Sequence, residues 1–237
     1  LNVIITGASR GIGRKLARYY AKKNKVFAIA RDEIKLNELK KENENIIPIV
    51  CDLSNINEVR KLRFDEIDLV ICNAGISLPH APDFTPYEEF EKLFQINFLS
   101  IHALLENIVP DMQKRKRGKI VFISSLASII ASPTSLPYSA SKRALNSYAQ
   151  SLRNMLAKYN IKVINIMPGF IKTDLTAKND FYMPFLMDLN EGAKRIIDAI
   201  EKEKKEYAFP KRFYYILKMF NLLPLNIQDK ILQKFAN

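Results

Sequence analysis

Short apolar runs alternating with longer amphipathic stretches do most to limit what this 237-residue chain can fold into. The runs are Val3 to Ile5, Val26 to Ala30, Ile46 to Cys51, Leu69 to Cys72, Ile120 to Ser124 and Val163 to Met167. Between them, helical periodicity spans about 11–23, 33–43, 87–109, 136–158 and 190–204. This β-α-β-α order predicts an α/β fold, a parallel sheet with helices on both faces. The stretch 87–109 is long for one helix; Asn97 interrupts its pattern and Pro110 stops it, which predicts two consecutive helices or one kinked one.

The length suits one large domain, placed at 1–210, and a 48% hydrophobic content supplies its core. No repeat, low-complexity tract or Gly/Ser/Pro-rich linker divides it. The chain opens directly in a strand pattern at Leu1-Asn2-Val3-Ile4-Ile5 with no charged leader, so it reads as cytoplasmic. Cys51 and Cys72 are too few for a disulfide framework. Neither His80 nor His102 has Cys, Asp or Glu at ligand spacing, so no metal is expected.

Lys plus Arg at 37 against Asp plus Glu at 25 gives a net charge of +12, attractive to phosphate-bearing ligands, anionic membranes or nucleic acid. Much of the excess lies in Lys22-Lys23 and Lys114-Arg115-Lys116-Arg117, which read as solvated helix ends. The basic run at 114–119 precedes the fifth strand, on the rim away from the ligand-binding one, and carries no interleaved aromatics. No nucleic-acid partner is expected.

In Thr6-Gly7-Ala8-Ser9-Arg10-Gly11-Ile12-Gly13 a strand turns into a helix, with glycines spaced G-x-x-x-G-x-G. Such a turn lets backbone N–H groups approach a pyrophosphate at the positive end of a helix dipole. Where an acid would hold a ribose 2′-OH, at the end of the second strand, Ala30 stands instead, followed by Arg31. Arg10 and Arg31 together would grip a 2′-phosphate, which favours NADP(H). Asp32 leaves NAD(H) open, although Asp32-Glu33 more simply caps the next helix.

Tyr138 and Lys142 lie four residues apart at the start of a long helix, hence on one face. A carbonyl receiving a hydride needs an acid at its oxygen, and a neighbouring ammonium stabilises the phenolate that remains. Ser125, at the end of the fifth strand, can donate a hydrogen bond to the same oxygen. Asn97 is either a helix break or part of a water-held proton relay behind Lys142.

Thr6 to Gly13, Asn73-Ala74-Gly75, Asn97, Ser125, Tyr138-x-x-x-Lys142 and Pro168-Gly169-x-x-x-Thr173 stand in an order that resembles the short-chain dehydrogenase/reductase family over residues 1–205. The resemblance implies a Rossmann-type, doubly wound, parallel seven-stranded sheet in the order 3-2-1-4-5-6-7. It implies a catalytic tetrad of Asn97, Ser125, Tyr138 and Lys142, with Lys142 also holding the nicotinamide ribose. Around the cofactor it places Gly7, Ser9, Arg10, Gly11, Ile12, Gly13 and Arg31 at the phosphate end and Asp52 and Leu53 at the adenine. Asn73, Ala74 and Gly75 would lie beside the cofactor, and Pro168, Gly169, Ile171 and Thr173 near the carboxamide. A homodimer or homotetramer is the expected assembly. Two departures stand out: Cys72 replaces the first Asn of the usual Asn-Asn-Ala-Gly, and Leu53 to Ile67 is short for a full helix with its loops.

The resemblance makes residues 170–190 a flap over the substrate. Its Phe170, Leu175, Phe181, Tyr182, Met183, Phe185 and Leu186 suit a lipophilic or aromatic carbonyl substrate. The tail at 211–237 is apolar and basic but too short to span a bilayer, leaving the domain itself, a partner subunit or a membrane surface as its neighbour. The expected activity is hydride transfer between nicotinamide and a carbonyl or secondary alcohol. The alternative is a catalytically silent NAD(P)-binding regulator or scaffold, against which the joint presence of Tyr138, Lys142, Ser125 and Asn97 argues.

Overall fold

The computed structural model describes residues 1–78, 84–179 and 181–234. His80, the end of the tail and one residue of the 170–190 flap lie outside them. Seven parallel strands form one sheet: β1 (Asn2–Thr6), β2 (Lys25–Ala30), β3 (Ile46–Val50), β4 (Leu69–Cys72), β5 (Gly118–Ile123), β6 (Ile161–Pro168) and β7 (Glu206–Phe209). Their order is β3-β2-β1-β4-β5-β6-β7, the doubly wound arrangement expected. The strand order reverses between β1 and β4, so a crevice opens beyond their carboxyl ends.

Alternate strand residues feed two cores. Val3, Ile5, Val121 and Ile123 join Leu16 and Ala17 of α1 (Gly11–Tyr20), Leu36 and Leu39 of α2 (Glu33–Glu42) and Ile196 of α8 (Leu189–Glu201). Ile4, Val70, Ile120 and Phe122 join Val59 of α3 (Ile56–Lys61), Leu104 of α5 (Ser100–Glu106) and Leu145 and Leu152 of α7 (Leu136–Leu156). The central strands β1, β4 and β5 are apolar on both sides because each side is covered. A third, small core holds Leu126, Met167 and Leu217, the last from α9 (Lys211–Phe220), which is followed by α10 (Leu225–Gln233).

Asn97 does not break the helical run. It sits in a single π turn, Gln95–Leu99, joining α4 (Tyr87–Phe94) to α5. Pro110 does more than end that run: it occupies the first turn of α6 (Val109–Arg115), where its missing N–H costs nothing. The short segment after Leu53 does hold a helix, α3, of only six residues, capped by the Asn55 side chain. In the basic run at 114–117, Lys114, Lys116 and Arg117 are exposed, and Arg115 alone is partly buried. Arg115 reaches Asp111 at 2.8 Å and Asp68 at 3.5 Å, and Arg117 reaches Asp68 at 3.1 Å.

Candidate active site

The crevice begins where β1 meets α1. Gly7 and Gly11 have φ of +67° and +52°, a left-handed backbone that other residues adopt only with strain. An added Cβ on Gly7 would also lie 2.9 Å from the Ala74 Cα. Arg10 caps α1 without a side-chain hydrogen bond, and the first turn holds no acid. The leading N–H groups of α1 are therefore left for an anion from outside. Gly13 serves differently: its Cβ would fall 2.2 Å from the Gly7 carbonyl oxygen, so its bareness lets helix and strand touch.

A groove of about 250 Å³ follows, lined by Gly7, Ser9, Arg10, Gly11 and Ile12 on one side and Asp52, Leu53, Ala74 and Gly75 on the other. Arg31 lies on the same wall. Asp32 is occupied as the cap of α2, accepting from the Lys35 N–H at 3.0 Å, and that N–H holds its carboxyl below the usual range. Asp52 accepts from the Ser54 N–H and hydroxyl, each at 2.9 Å, and its carboxyl is likewise depressed, first by that backbone bond. Two guanidiniums and an uncapped helix end thus face the groove, a set that fits the phosphates of a dinucleotide, with Asp174 3.5 Å from Arg10.

Asn73 fastens this wall to β1. Its amide donates to the Thr6 carbonyl at 3.0 Å, while the Thr6 hydroxyl accepts from both Asn73 and Ala74 N–H at 3.0 Å. Beyond Asn73 the groove opens into a cavity of about 630 Å³, whose wall carries Ser125, Tyr138 and Lys142. Ile12, Asn73, Gly75, Thr173 and Leu175 line both spaces, so the two are continuous.

Tyr138 is half-buried and Lys142 fully buried. The ammonium donates to the Ile123 carbonyl at 2.9 Å and lies 5.8 Å from the centre of the Tyr138 ring. Burial pushes the Lys142 ammonium down to about 8. It also raises the Tyr138 phenol, against which the Ser125 hydroxyl pulls downward. The Ser125 oxygen accepts the Ala127 N–H at 3.1 Å, which leaves its hydrogen free to donate. Gly75 makes room for the lysine: a Cβ there would be 3.3 Å from the ammonium and 3.4 Å from the Asn97 carbonyl oxygen.

Asn97 lies off the cavity surface, wholly buried. Its side chain accepts the Ile76 N–H at 2.8 Å and donates to the Ile76 carbonyl at 3.0 Å, pinning the segment after β4. It also donates to Ser141 at 3.1 Å, and Ser141 donates to the Tyr138 carbonyl at 2.8 Å. Asn97 is thus tied to the backbone of the tyrosine through Ser141, the residue before the lysine.

Asn146 was not singled out in the sequence, although it continues the Tyr138, Lys142 spacing by another four residues. Its amide donates to the Ser128 hydroxyl at 2.6 Å, while its oxygen lies 2.6 Å from the Ser124 hydroxyl and accepts from Asn165 at 2.9 Å. Ser128 in turn donates to the Ser125 carbonyl. Asn146 therefore ties the Ser125 turn to β6 and to the helix bearing Tyr138. Thr176 was missed as well: it accepts the Thr173 N–H at 2.9 Å and donates to the Ile171 carbonyl at 2.7 Å.

Ile171 is buried on the cavity floor beside Pro168 and Gly169. The outer walls are apolar and come from distant parts of the chain. Phe170 packs between Phe181 at 5.9 Å and Phe213 at 6.1 Å, and Phe185 lies 5.8 Å from Phe213. Phe185 has φ of +57°, a backbone that a bulky residue keeps only where packing holds it. Leu126, Ile130 and Leu217 complete this face. Elsewhere, His102 meets the Tyr148 hydroxyl at 2.9 Å, and both cysteines are buried and free. No group of His, Cys, Asp or Glu among the described residues could hold a metal ion.

Comparison with known proteins gives a consistent set of likenesses. The family model described as short chain dehydrogenase matches residues 1–181. An uncharacterized oxidoreductase of Myxococcus xanthus is 33% identical over 237 residues, covering 95% of this chain and 94% of that protein. A fatty acyl-CoA reductase of Acinetobacter baylyi is 32% identical over 222 residues, covering 86% and 74%. A short-chain dehydrogenase from Sphingobium yanoikuyae, solved in complex with NADPH, shares the fold with a TM-score of 0.80 at 22% identity, over 88% of this chain and 87% of that one.

Proposed function

This chain belongs to the short-chain dehydrogenase family and is an NAD(P)-dependent oxidoreductase, and on that footing we propose that it reduces lipophilic carbonyl compounds with NADPH. The observation that carries the proposal is the continuity of the two spaces. A groove bearing Arg10 and Arg31 runs into an apolar cavity with Ser125, Tyr138 and Lys142 on its wall.

A nicotinamide dinucleotide held by Arg10, Arg31 and the open end of α1 would supply the hydride or take it up. The residues of the chain manage the oxygen. Ser125 donates a hydrogen bond to the carbonyl oxygen and holds it at Tyr138. The phenol gives its proton to that oxygen as negative charge develops, and takes it back in the reverse direction. Lys142 stands against the tyrosine ring and stabilises the phenolate. Asn97, through Ser141, keeps the turn of helix carrying both groups in place. Phe170, Phe181 and Phe213 keep water from the reacting end and favour an apolar substrate over a sugar. A relative described as a fatty acyl-CoA reductase supports that leaning.

The cofactor preference rests on charge. Arg10 and Arg31 face the groove, and of the acids that line it Asp32 is engaged with Lys35, Asp52 with Ser54, and Asp174 lies 3.5 Å from the Arg10 guanidinium. The test is consumption of NADPH and of NADH with ketones and aldehydes of increasing chain length. Turnover with NADPH that improves with apolar length is expected. No turnover on any carbonyl, or a preference for NADH, overturns the corresponding half of the reading.

A further inference from the structure

The groove and the cavity leave one feature of the molecule unused. Beyond Pro210 the chain forms α9 and α10, whose apolar residues are divided between two faces. Phe213 and Leu217 turn inward to the cavity wall. Tyr215, Ile216 and Met219 of α9 are 57%, 54% and 68% exposed, and Leu222 and Leu225 in and after the turn are 85% and 74% exposed. No residue of α10 is buried among those described. Globular surfaces scatter single apolar residues, but a continuous set of this kind marks a surface that something covers.

Charge identifies what covers it. Residues 211–234 hold Lys211, Arg212, Lys218, Lys230 and Lys234 against a single acid, Asp229. All five cations are exposed, and among the described residues none takes part in an ion pair. A second copy of the chain pairing through this face about a two-fold axis would set the cations against themselves. An anionic bilayer surface matches both properties, with acyl chains for the leucines and headgroups for the lysines. No helix among the described residues is long and apolar enough to cross a membrane, so the face would lie on the surface.

We infer that the outer face of α9 and α10 docks this protein on an anionic lipid surface. Phe181, 45% exposed, lies at the cavity rim, and Phe185, 43% exposed, packs on Phe213 of the same helix α9. If the proposed reduction of lipophilic carbonyls holds, docking brings the cavity to where such substrates dissolve; the docking itself does not depend on it.

The experiment is co-sedimentation of the full chain with phosphatidylcholine vesicles, with and without phosphatidylglycerol. Binding to anionic vesicles at least about tenfold stronger than to neutral ones, and released by salt, is expected. The double variant M219D/L222D, altered only at exposed positions outside the cavity, should lose that binding while keeping its thermal unfolding and its NADPH affinity. Three results overturn the inference: no binding to anionic vesicles, binding untouched by the double variant, or a dimer that M219D/L222D converts to monomer while the parent ignores vesicles. That last result would assign the face to a second copy.

Discussion

The two halves of the crevice are built by different means. The cofactor half is made of backbone: left-handed glycines, the uncapped end of α1, and Asn73 bonded across to Thr6. The substrate half is made of side chains, Phe170, Phe181, Phe185 and Phe213, brought together from the flap and from α9. Backbone geometry tolerates little change because a Cβ in the wrong place collides, as at Gly7 and Gly13. A wall of apolar rings can be resized by substitution while the sheet beneath it stays intact. A recurring ligand is thus held by the stiff half and a particular substrate by the adjustable one.

The largest effect should come at the seam between the halves. Tyr138→Phe removes the proton donor and leaves the groove untouched, so turnover should fall about 10²–10⁴-fold with NADPH affinity unchanged. Steady-state rates and a fluorescence titration of NADPH check the two parts separately. Turnover at the parental level would break the assignment of chemistry to this wall.

Lys142 sharpens the same seam through stability. In the unfolded chain its ammonium keeps the proton to about 10.5, whereas burial lets the folded protein release it at about 8. Between those values the unfolded state binds more protons, so the lysine's contribution to stability rises with pH. It is least favourable below pH 8, where the charge is buried. Relative to Lys142→Met, the cofactor-free protein should gain roughly 3 kcal/mol on going from neutral pH to above 10.5. Urea unfolding of both proteins across that range reads the difference, and parallel curves would show a lysine that stays hydrated.

These effects also mark what a reader of the sequence can reach. The strands at Val3, Val26, Leu69 and Val163 announce themselves because each is a short apolar run bounded by turn residues. β7 does not: Glu206-Tyr207-Ala208-Phe209 is brief and follows a lysine-rich loop, and only the resemblance called for a seventh strand. Tyr138, Lys142 and the glycine turn are legible because their spacing mirrors their geometry. Asn146 and Thr176 were passed over because a polar residue on a helix or in a loop carries no mark of the buried partner it will meet. Asn97 drew notice as a helix breaker, yet in the fold the π turn absorbs it and its side chain pins Ile76. Contacts such as Phe185 with Phe213 join residues far apart in the chain, so no local pattern encodes them.

In the cofactor half, Arg31→Ala and Arg10→Ala should each raise the KM for NADPH about 10–100-fold while leaving that for NADH within a few-fold, since each removes one charge-assisted contact to a phosphate NADH lacks. Arg10 should give the smaller effect, because it is 51% exposed and shares its guanidinium with Asp174 at 3.5 Å. Equal losses with both cofactors would mean that the arginines serve the pyrophosphate or the fold instead.

The smallest effect belongs to the adjustable half. Phe213 meets Phe170 and Phe185 at the cavity wall and reaches none of Ser125, Tyr138 or Lys142 through a hydrogen bond. Phe213→Ala should lower kcat/KM for a long-chain carbonyl about tenfold and for a short ketone hardly at all, because only the longer substrate extends to that wall. NADPH affinity should stay at the parental value, since no part of the groove touches the ring. A uniform loss on both substrates with unchanged cofactor binding would mean that Phe213 holds the flap closed over the chemistry, and the substrate half would then be less adjustable than its construction suggests.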